Sequence, residues 1–99
     1  MKIIKIEESP KLTKRYRVFL DNNSFYDFGL DDGQTYLDHG DKKKRDNYLK
    51  RHMSNKTEFN LISNLVPSPS LFSAYLLWNT PNLDENIKIL NELFKNKYK

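Results

Sequence analysis

The sequence has no cysteine, few glycines and no long apolar stretch, and each absence excludes a class of protein. Without cysteine, the chain forms no disulfide, has no thiol nucleophile and offers no cysteine ligand to zinc. Its three glycines lack the spacing of a P-loop or of a dinucleotide-binding fingerprint. No run of about 18 apolar residues is present, so we expect no membrane partner. The short, charged N-terminus is unlike a signal peptide, so we expect a protein that is not secreted.

The residues that are present suit one small domain. The chain has 99 residues, of which 37% are hydrophobic and 13% are aromatic. A chain of this length has room for one hydrophobic core and little room for a second. We therefore predict a single domain over residues 1–99.

The net charge of +4 conceals an uneven distribution along the chain. Residues 1–20 carry a net charge of +4, and residues 57–99 carry none. Residues 21–41, here the acidic segment, carry −6, and residues 42–56, here the basic segment, carry +6. Folding either sets these two segments against each other, which would cancel their charge, or leaves the basic segment facing solvent. The acids of the acidic segment are Asp21, Asp27, Asp31, Asp32, Asp38 and Asp41.

The first third of the chain predicts β-structure. Ile3, Ile4 and Ile6 form a short β-branched run, and residues 16–20 and 25–30 alternate between apolar and polar positions. Asn22 and Asn23 between the two alternating runs are typical of a hairpin turn. Residues 31–33 predict a second turn, and residues 35–37 a further short strand or an ordered loop. Alternation places Tyr16, Val18 and Leu20 on one face of the first run and Tyr26, Phe28 and Leu30 on one face of the second. The sheet part of the predicted core is Tyr16, Val18, Leu20, Tyr26 and Phe28.

The remainder predicts helices. Asp41 is a candidate N-cap for a helix that ends near Met53, and Thr57 for a shorter helix that ends at Leu65. Residues 71–78 are apolar on most sides and predict a buried helix. Asn82 and Glu85 have a capping-box spacing before the last helix. The predicted fold class is α+β, with a small N-terminal antiparallel sheet of two or three strands followed by three to four helices. The helical part of the predicted core is Leu71, Phe72, Leu76, Trp78, Ile87, Leu90 and Phe94.

The basic segment is the first candidate site. Cations in the first turn of a helix oppose the helix dipole, which suggests a role other than helix stability. On a helix, Arg45, Tyr48 and His52 share one side, and an aromatic ring among cations suits nucleic acid. The alternatives are a solvated helix balanced by nearby acids and an acidic protein partner. The candidate residues for binding nucleic acid or another polyanion are Lys42, Lys43, Lys44, Arg45, Tyr48, Lys50 and Arg51.

A cluster of acids and histidines is the second candidate site. Asp38, His39 and Asp41 are close in sequence, and His52 follows one helix later. These residues could supply two imidazoles and a carboxylate to a metal, or an acid–base pair for phosphodiester cleavage. Alternatively, His39 ties down a turn, and His52 is a cation at a helix end. Because acids directly before a basic helix favour local pairing, we expect a structural brace with the carboxylates on Arg45 and Arg51. We expect no cofactor, metal or catalytic residue.

Two blocks of the chain, from Tyr36 to His52 and from Ser73 to Asn79, resemble a family of small proteins of unknown function. Large and giant DNA viruses of eukaryotes encode this family. The resemblance implies a viral protein without established enzymatic activity, so it identifies no catalytic residue. Gly40 departs from the pattern, since many relatives are expected to have Lys there. The recurrent positions of the family correspond to Tyr36, His39, Asp41, Arg45, Tyr48, Arg51, His52, Leu76, Leu77 and Trp78.

Three functional hypotheses follow. The first is a small non-enzymatic viral protein, in the virion or the cytoplasm of the infected cell, whose basic helix binds nucleic acid or an acidic viral structural protein. The second is a capsid-associated adaptor that uses the aromatic helix over residues 71–78. The third is a metal-dependent nuclease that uses His39, Asp41 and His52. The oligomeric state stays open, as do the roles of the motif residues Tyr36, Asp38, His39, Asp41, His52 and Trp78.

Overall fold

Three strands form the N-terminal part of the protein in a computed structural model that describes residues 1–31 and 33–98. They are β1 (Ile3–Glu8), β2 (Lys14–Leu20) and β3 (Phe25–Leu30). They pair antiparallel in the order β1-β2-β3, which confirms the predicted sheet. Asp32 and Lys99 lie outside the described residues. The predicted turn over residues 31–33 and the acidic segment both include Asp32.

The register of the sheet separates an inner from an outer face. Val18 pairs with Tyr26, and Arg17 pairs with Asp27, so the two pairs lie on opposite faces. The turn between β2 and β3 contains Asn23 at φ 70°, the left-handed conformation that asparagine tolerates. The register between β1 and β2 shifts between Ile3 and Lys5. Charged pairs can therefore form on the outer face while the inner face packs on the helices.

Five α-helices follow in the described part of the chain, one more than the largest number predicted. The additional helix is α1, where residues 35–37 predicted a strand or a loop. Thr35 is its extended N-cap, the Asp38 carboxylate accepts from the Thr35 backbone N–H, and Gly40 ends it at φ 62°. The helices are α1 (Tyr36–His39), α2 (Lys42–Met53), α3 (Lys56–Ser63), α4 (Pro69–Phe72) and α5 (Leu83–Lys97).

The helix caps confirm two predictions and correct one. Asp41 caps α2, accepting from the backbone N–H groups of Lys43 and Lys44. Asn82 caps α5 and accepts from Glu85 N–H at 2.9 Å. The prediction of Thr57 as the cap of α3 is wrong, because the Asn55 side chain accepts from the Glu58 N–H and starts the helix two residues earlier.

Residues 71–78 form the centre of the core, although not as one regular helix. After α4 the chain continues as a π-helical segment over Ser73–Leu77. The end of this segment is held by Asn86 of α5, which is fully buried. Its Nδ2 donates to the carbonyls of Leu76 and Thr80, both at 2.9 Å. A buried amide thus replaces backbone hydrogen bonds and fixes the position of Trp78, which follows the segment.

The hydrophobic core lies between the inner face of the sheet, the π-helical segment and α5. Leu30, which alternation places on one face with Tyr26 and Phe28, is 67% exposed at the end of β3. Ile3 and Leu77 belong to the core and were not predicted. The predicted side chains Tyr16, Tyr26, Trp78 and Ile87 are partly buried against it. The predicted side chains that are fully buried are Val18, Leu20, Phe28, Leu71, Phe72, Leu76, Leu90 and Phe94.

Candidate polyanion-binding site

Two acids of the acidic segment, Asp38 and Asp27, pair with arginines of the sheet, and none of its acids among the described residues forms an ion pair with the basic segment. Asp38 forms a bidentate pair with Arg15, with N–O distances of 2.6 and 2.7 Å. Asp27 forms a second bidentate pair with Arg17, at 2.9 and 3.0 Å. The expectation that Asp38 and Asp41 would pair with Arg45 and Arg51 is therefore wrong. Asp27 lies on β3 opposite Arg17, and Asp38 lies on α1, so bidentate pairs join β2 to both elements.

The electrostatic environment keeps both paired acids ionised. Hydrogen bonds from Arg17 and Ser9 lower the pKa of Asp27 to about 2, against the effect of its burial. Arg15, together with the Thr35 backbone and hydroxyl groups, holds the pKa of Asp38 well below its usual range. The pKa of Arg15 is raised in turn, chiefly by Asp38. Each acid therefore neutralises its arginine at every pH near neutrality.

Helix α2 carries the cations of the basic segment on its exposed surface. Among residues 1–31 and 33–98, no carboxylate lies within 4.0 Å of the charged nitrogens of the five cations named below. Asp41 lies at the start of the helix, where it accepts from backbone N–H groups. The described acids of the acidic segment thus do not neutralise these cations. The five exposed cations of α2 are Lys42, Lys43, Lys44, Lys50 and Arg51.

Arg45 differs from the other cations of α2. Its Nε donates to the carbonyl oxygens of Trp78 and Asn79, at 3.0 and 3.1 Å. Its Nη1 pairs with Asp46 at 3.0 Å, and the guanidinium lies 5.8 Å from the centre of the Tyr36 ring. Carbonyl groups at the end of a helix lack donors within that helix, and the Arg45 side chain donates to those that follow the π-helical segment. Arg45 therefore holds α2 against the residues that follow the π-helical segment, and it is less available than the other cations to contact a polyanion.

Four neighbouring rings extend from α1 to the end of α2, namely those of His39, Trp78, Tyr48 and His52, and we call them the aromatic row. The ring centroids of His39 and Trp78 are 5.5 Å apart, and those of Trp78 and Tyr48 are 4.1 Å apart with nearly parallel planes. Tyr48 and His52 are also 4.1 Å apart. Burial raises the pKa of Tyr48 to about 12, and the negative charge of Glu58 adds to this shift. Tyr48 is therefore neutral near pH 7. Because the rings of Trp78 and His52 both lie 4.1 Å from it, Tyr48 offers an edge to a ligand and not a free ring face.

Both histidines have structural partners. His39 Nδ1 accepts from the Asp41 backbone N–H at 2.9 Å, which confirms that it ties down the turn between α1 and α2. Its remaining proton therefore lies on Nε2, a buried atom without a hydrogen-bond partner among the described residues. His52 Nδ1 bonds to Glu58 Oε2 at 2.5 Å and links α2 to α3.

The arrangement does not assemble the three residues of the nuclease hypothesis. In the part of the chain that is described, no three His, Asp or Glu side chains are placed to hold one metal ion. The Asp41 carboxylate accepts from the backbone of α2, and His39 and His52 bond to different groups. The geometry favours the brace over a catalytic constellation, although with other partners than expected.

A groove of about 720 Å³ lies beside the aromatic row. It brings together six of the predicted site residues: His39, Lys44, Tyr48, Arg51, His52 and Trp78. The other candidates, which are Tyr36, Asp38, Asp41, Lys42, Lys43, Arg45 and Lys50, do not line it. Sequence reasoning missed Lys14, Glu58, Ser70 and Ser73, which also line it. No local signal could have found them, since they come from β2, α3, α4 and the π-helical segment.

The adaptor hypothesis required residues 71–78 to present an apolar surface. Leu71, Phe72, Leu76 and Leu77 are at most 1% exposed, so these side chains form the core instead. Only Tyr75 and Trp78 of the large side chains in this segment are partly exposed. The structure therefore lends no support to a contact surface built on this segment.

The N-terminal half of the chain matches one known family. Residues 4–52 match the model described as "Family of unknown function (DUF5754)". The match includes nearly all of the sheet, α1 and α2 up to His52, and therefore the cations of α2. No curated protein and no solved structure matches the chain. Of the helices described, none is both long and apolar enough to cross a membrane.

Proposed function

We propose that this protein is a small non-enzymatic binding protein that contacts the phosphates of nucleic acid through helix α2. The observation that carries the proposal is the contrast in pairing. Arg15 and Arg17 are neutralised by acids, whereas the five exposed cations of α2 have no carboxylate partner among the residues described. Exposed, unpaired cations on one helix are the electrostatic footprint of a polyanion-binding surface.

The composition of the first turn of α2 supports a binding role. Apart from the capping Asp41, this turn has no acid and begins with Lys42, Lys43 and Lys44. Each cation at this end opposes the helix dipole by roughly 0.3–1 kcal/mol. A helix that served stability alone would gain from acids there. Binding to phosphates compensates for this cost, because it releases the counterions condensed on nucleic acid.

The spacing of the cations along α2 suits a repeating anion. Lys43 and Lys50 are seven residues apart, as are Lys44 and Arg51. Seven residues are close to two turns, so each pair forms a row about 10.5 Å long on one side of the helix. Two neighbouring rows of this kind can follow a phosphate backbone. An acidic surface on a viral structural protein is the alternative partner.

The resemblance to proteins of large and giant DNA viruses supports a more specific proposal. We infer a viral protein that acts in the virion or in the cytoplasm of the infected cell. Its detection in purified virions, at a constant ratio to the major structural proteins, is the expected result of quantitative mass spectrometry for the virion version. Absence from virions, together with abundance in the infected cell, would assign it to the accessory role instead.

A binding titration tests the nucleic-acid proposal. The protein is titrated with duplex and single-stranded DNA at several salt concentrations, and the slope of log K against log [salt] is measured. The triple variant Lys42→Gln, Lys43→Gln, Lys50→Gln should make this negative slope shallower by about 2 for single strands, since each phosphate contact contributes about 0.7 to its magnitude. The matched control is Lys88→Gln, Lys95→Gln, Lys97→Gln on α5, which removes the same charge from another exposed helix surface. Absence of binding at low salt, or an equal effect of the control, contradicts the proposal.

A further inference from the structure

The groove beside the aromatic row is distinct from the outer side of α2. It lies where β2, α2, α4 and the π-helical segment meet, and its volume of about 720 Å³ is that of a small-ligand pocket. Phosphates that lie along an exposed helix do not require a cavity. The groove therefore needs an explanation of its own, in terms of the chemical groups that line it.

The charges around the groove favour an anionic ligand. Lys44 and Arg51 reach it from α2, and Lys14 reaches it from β2. None of these three forms an ion pair with another residue in the described ranges. The acid among the lining residues is Glu58, whose Oε2 is bonded to His52. Cations from two separate elements thus converge on one cavity, and nothing in the described protein neutralises them.

The remaining lining groups favour a flat ligand with hydrogen-bond acceptors. Trp78, at the centre of the aromatic row, and His39 line the groove, and His39 Nε2 is a buried atom that lacks a partner in the described protein. Ser70 and Ser73 add hydroxyl groups. A heteroaromatic ring with ring nitrogens and carbonyl oxygens can contact the edges of these aromatic side chains. Its nitrogens and oxygens can accept hydrogen bonds from the His39 ring N–H and from the serine hydroxyl groups. Together with the cations, this set corresponds to a nucleobase linked to phosphate.

We propose that the groove binds an unpaired nucleotide of a single-stranded nucleic acid. Its phosphates contact Lys44 and Arg51, and its base contacts the part of the groove formed by His39 and Trp78. This inference rests on the proposed function and deepens it by naming a single strand as the ligand. A base inside a duplex is paired and stacked and does not enter a recessed cavity, whereas an unpaired base can turn outward into one.

Fluorescence offers a direct test, because Trp78 is the only tryptophan of the chain. The full-length protein is titrated with an eight-nucleotide thymidine oligomer, with a blunt duplex of equal charge, and with thymidine monophosphate. The single strand should change Trp78 emission and bind about tenfold more tightly than the duplex, the difference expected from one base contact. Unchanged Trp78 emission overturns the inference. Equal affinity per site for the free nucleotide overturns the single-strand version and indicates a nucleotide site.

A variant in the groove separates this inference from the proposed function. Ser70 lines the groove and lies in the first turn of α4, so Ser70→Glu adds an anion where the helix end tolerates it. It should lower the affinity for the single strand about tenfold and leave duplex binding nearly unchanged. The control Asn96→Glu adds the same charge to exposed α5. Salt-dependent duplex binding without any preference for the single strand would refute the groove site while the role of α2 stands. If the wild-type protein binds neither single-stranded nor duplex DNA, both the groove site and the proposed function are refuted.

Discussion

The basic residues of strand β2 and those of helix α2 differ in whether acids pair with them in the fold. Arg15 and Arg17 on β2 face acids and are neutralised by bidentate pairs. The five exposed cations of α2 have no such partner among the residues described. Asp38 shows why sequence distance is a poor guide, since it lies four residues before Lys42 and pairs with Arg15, 23 positions away. The geometry of a guanidinium facing a carboxylate decides the pairing, and proximity along the chain does not.

Arg45 refines the comparison, because it lies within the basic segment and behaves like the arginines of the sheet. Its hydrogen bonds to the carbonyls after the π-helical segment orient the whole helix. Its neighbour Lys44 instead lines the groove. The basic segment thus contains one residue that holds α2 in place and several that it displays.

The largest effect is expected from the Arg15–Asp38 pair. Asp38→Ala removes a bidentate partner of Arg15 and the carboxylate that accepts from Thr35 at the start of α1. The free energy of unfolding should fall by about 2 kcal/mol, as measured by urea denaturation. The control Asp31→Ala removes an exposed acid of the same segment and should change it by less than about 0.5 kcal/mol. Equal effects of the two variants would show that Asp38 contributes only its charge.

A smaller loss of stability is expected from Arg45. Arg45→Gln removes the donor to the carbonyls of Trp78 and Asn79 and should lower the free energy of unfolding by about 1–1.5 kcal/mol. Lys44→Gln, one residue earlier on the same helix, should be close to neutral. Denaturation of both variants checks the difference. If Lys44→Gln costs as much, then the distinction between anchoring and displayed cations does not hold.

The pH dependence of stability should report the acids of the sheet. The pKa of Asp27 falls from its ordinary value of 3.8 to about 2 on folding. The folded state therefore binds fewer protons than the unfolded state, and stability is lost as the pH falls from about 4 to about 2. Denaturation at a series of pH values should show this loss in the wild type and in Asp31→Asn. In Asp27→Asn the loss should be shallower, and an unchanged profile would mean that Asp27 is not paired in solution.

The smallest effect on stability is expected on the exposed side of α2. The triple variant Lys42→Gln, Lys43→Gln, Lys50→Gln removes three cations without ion-pair partners in the described structure. Its free energy of unfolding should stay within about 0.5 kcal/mol of the wild type or rise slightly, because cations oppose the dipole at the helix start. Thermal and urea denaturation measure it. A loss above about 1 kcal/mol would show that these lysines stabilise the fold.

Local patterns predicted the elements, and contacts distant in sequence decided the rest. The hairpin and the caps at Asp41 and Asn82 follow from residues within a few positions of each other. Helix α1 was missed because its capping residue three positions after Thr35 is an aspartate and its length is one turn. The π-helical segment depends on Asn86, which lies ten residues beyond Leu76 and is buried against it. No periodicity in residues 71–78 could reveal that partner.

The candidate site was predicted to a similar extent. Helix α2 places Lys44, Tyr48, Arg51 and His52 by its own periodicity, so their convergence could be foreseen. Their lack of acidic partners could not be foreseen, because it depends on arginines of the sheet that pair with Asp27 and Asp38. Trp78 joins the site because the π-helical segment and Arg45 together bring it against Tyr48.

The salt dependence of DNA binding tests the central claim most directly, when one variant from each basic region is compared with the wild type. Replacing Lys42, Lys43 and Lys50 by Gln should make the negative slope of log K against log [salt] for single-stranded DNA shallower by about 2. Arg17→Gln should leave that slope unchanged, because Arg17 is already neutralised by Asp27. A reduction of about 0.7 in Arg17→Gln, the full contribution of one phosphate contact to single-stranded DNA, would contradict the account, since it would show that the paired Arg17 contacts the ligand as the unpaired lysines do.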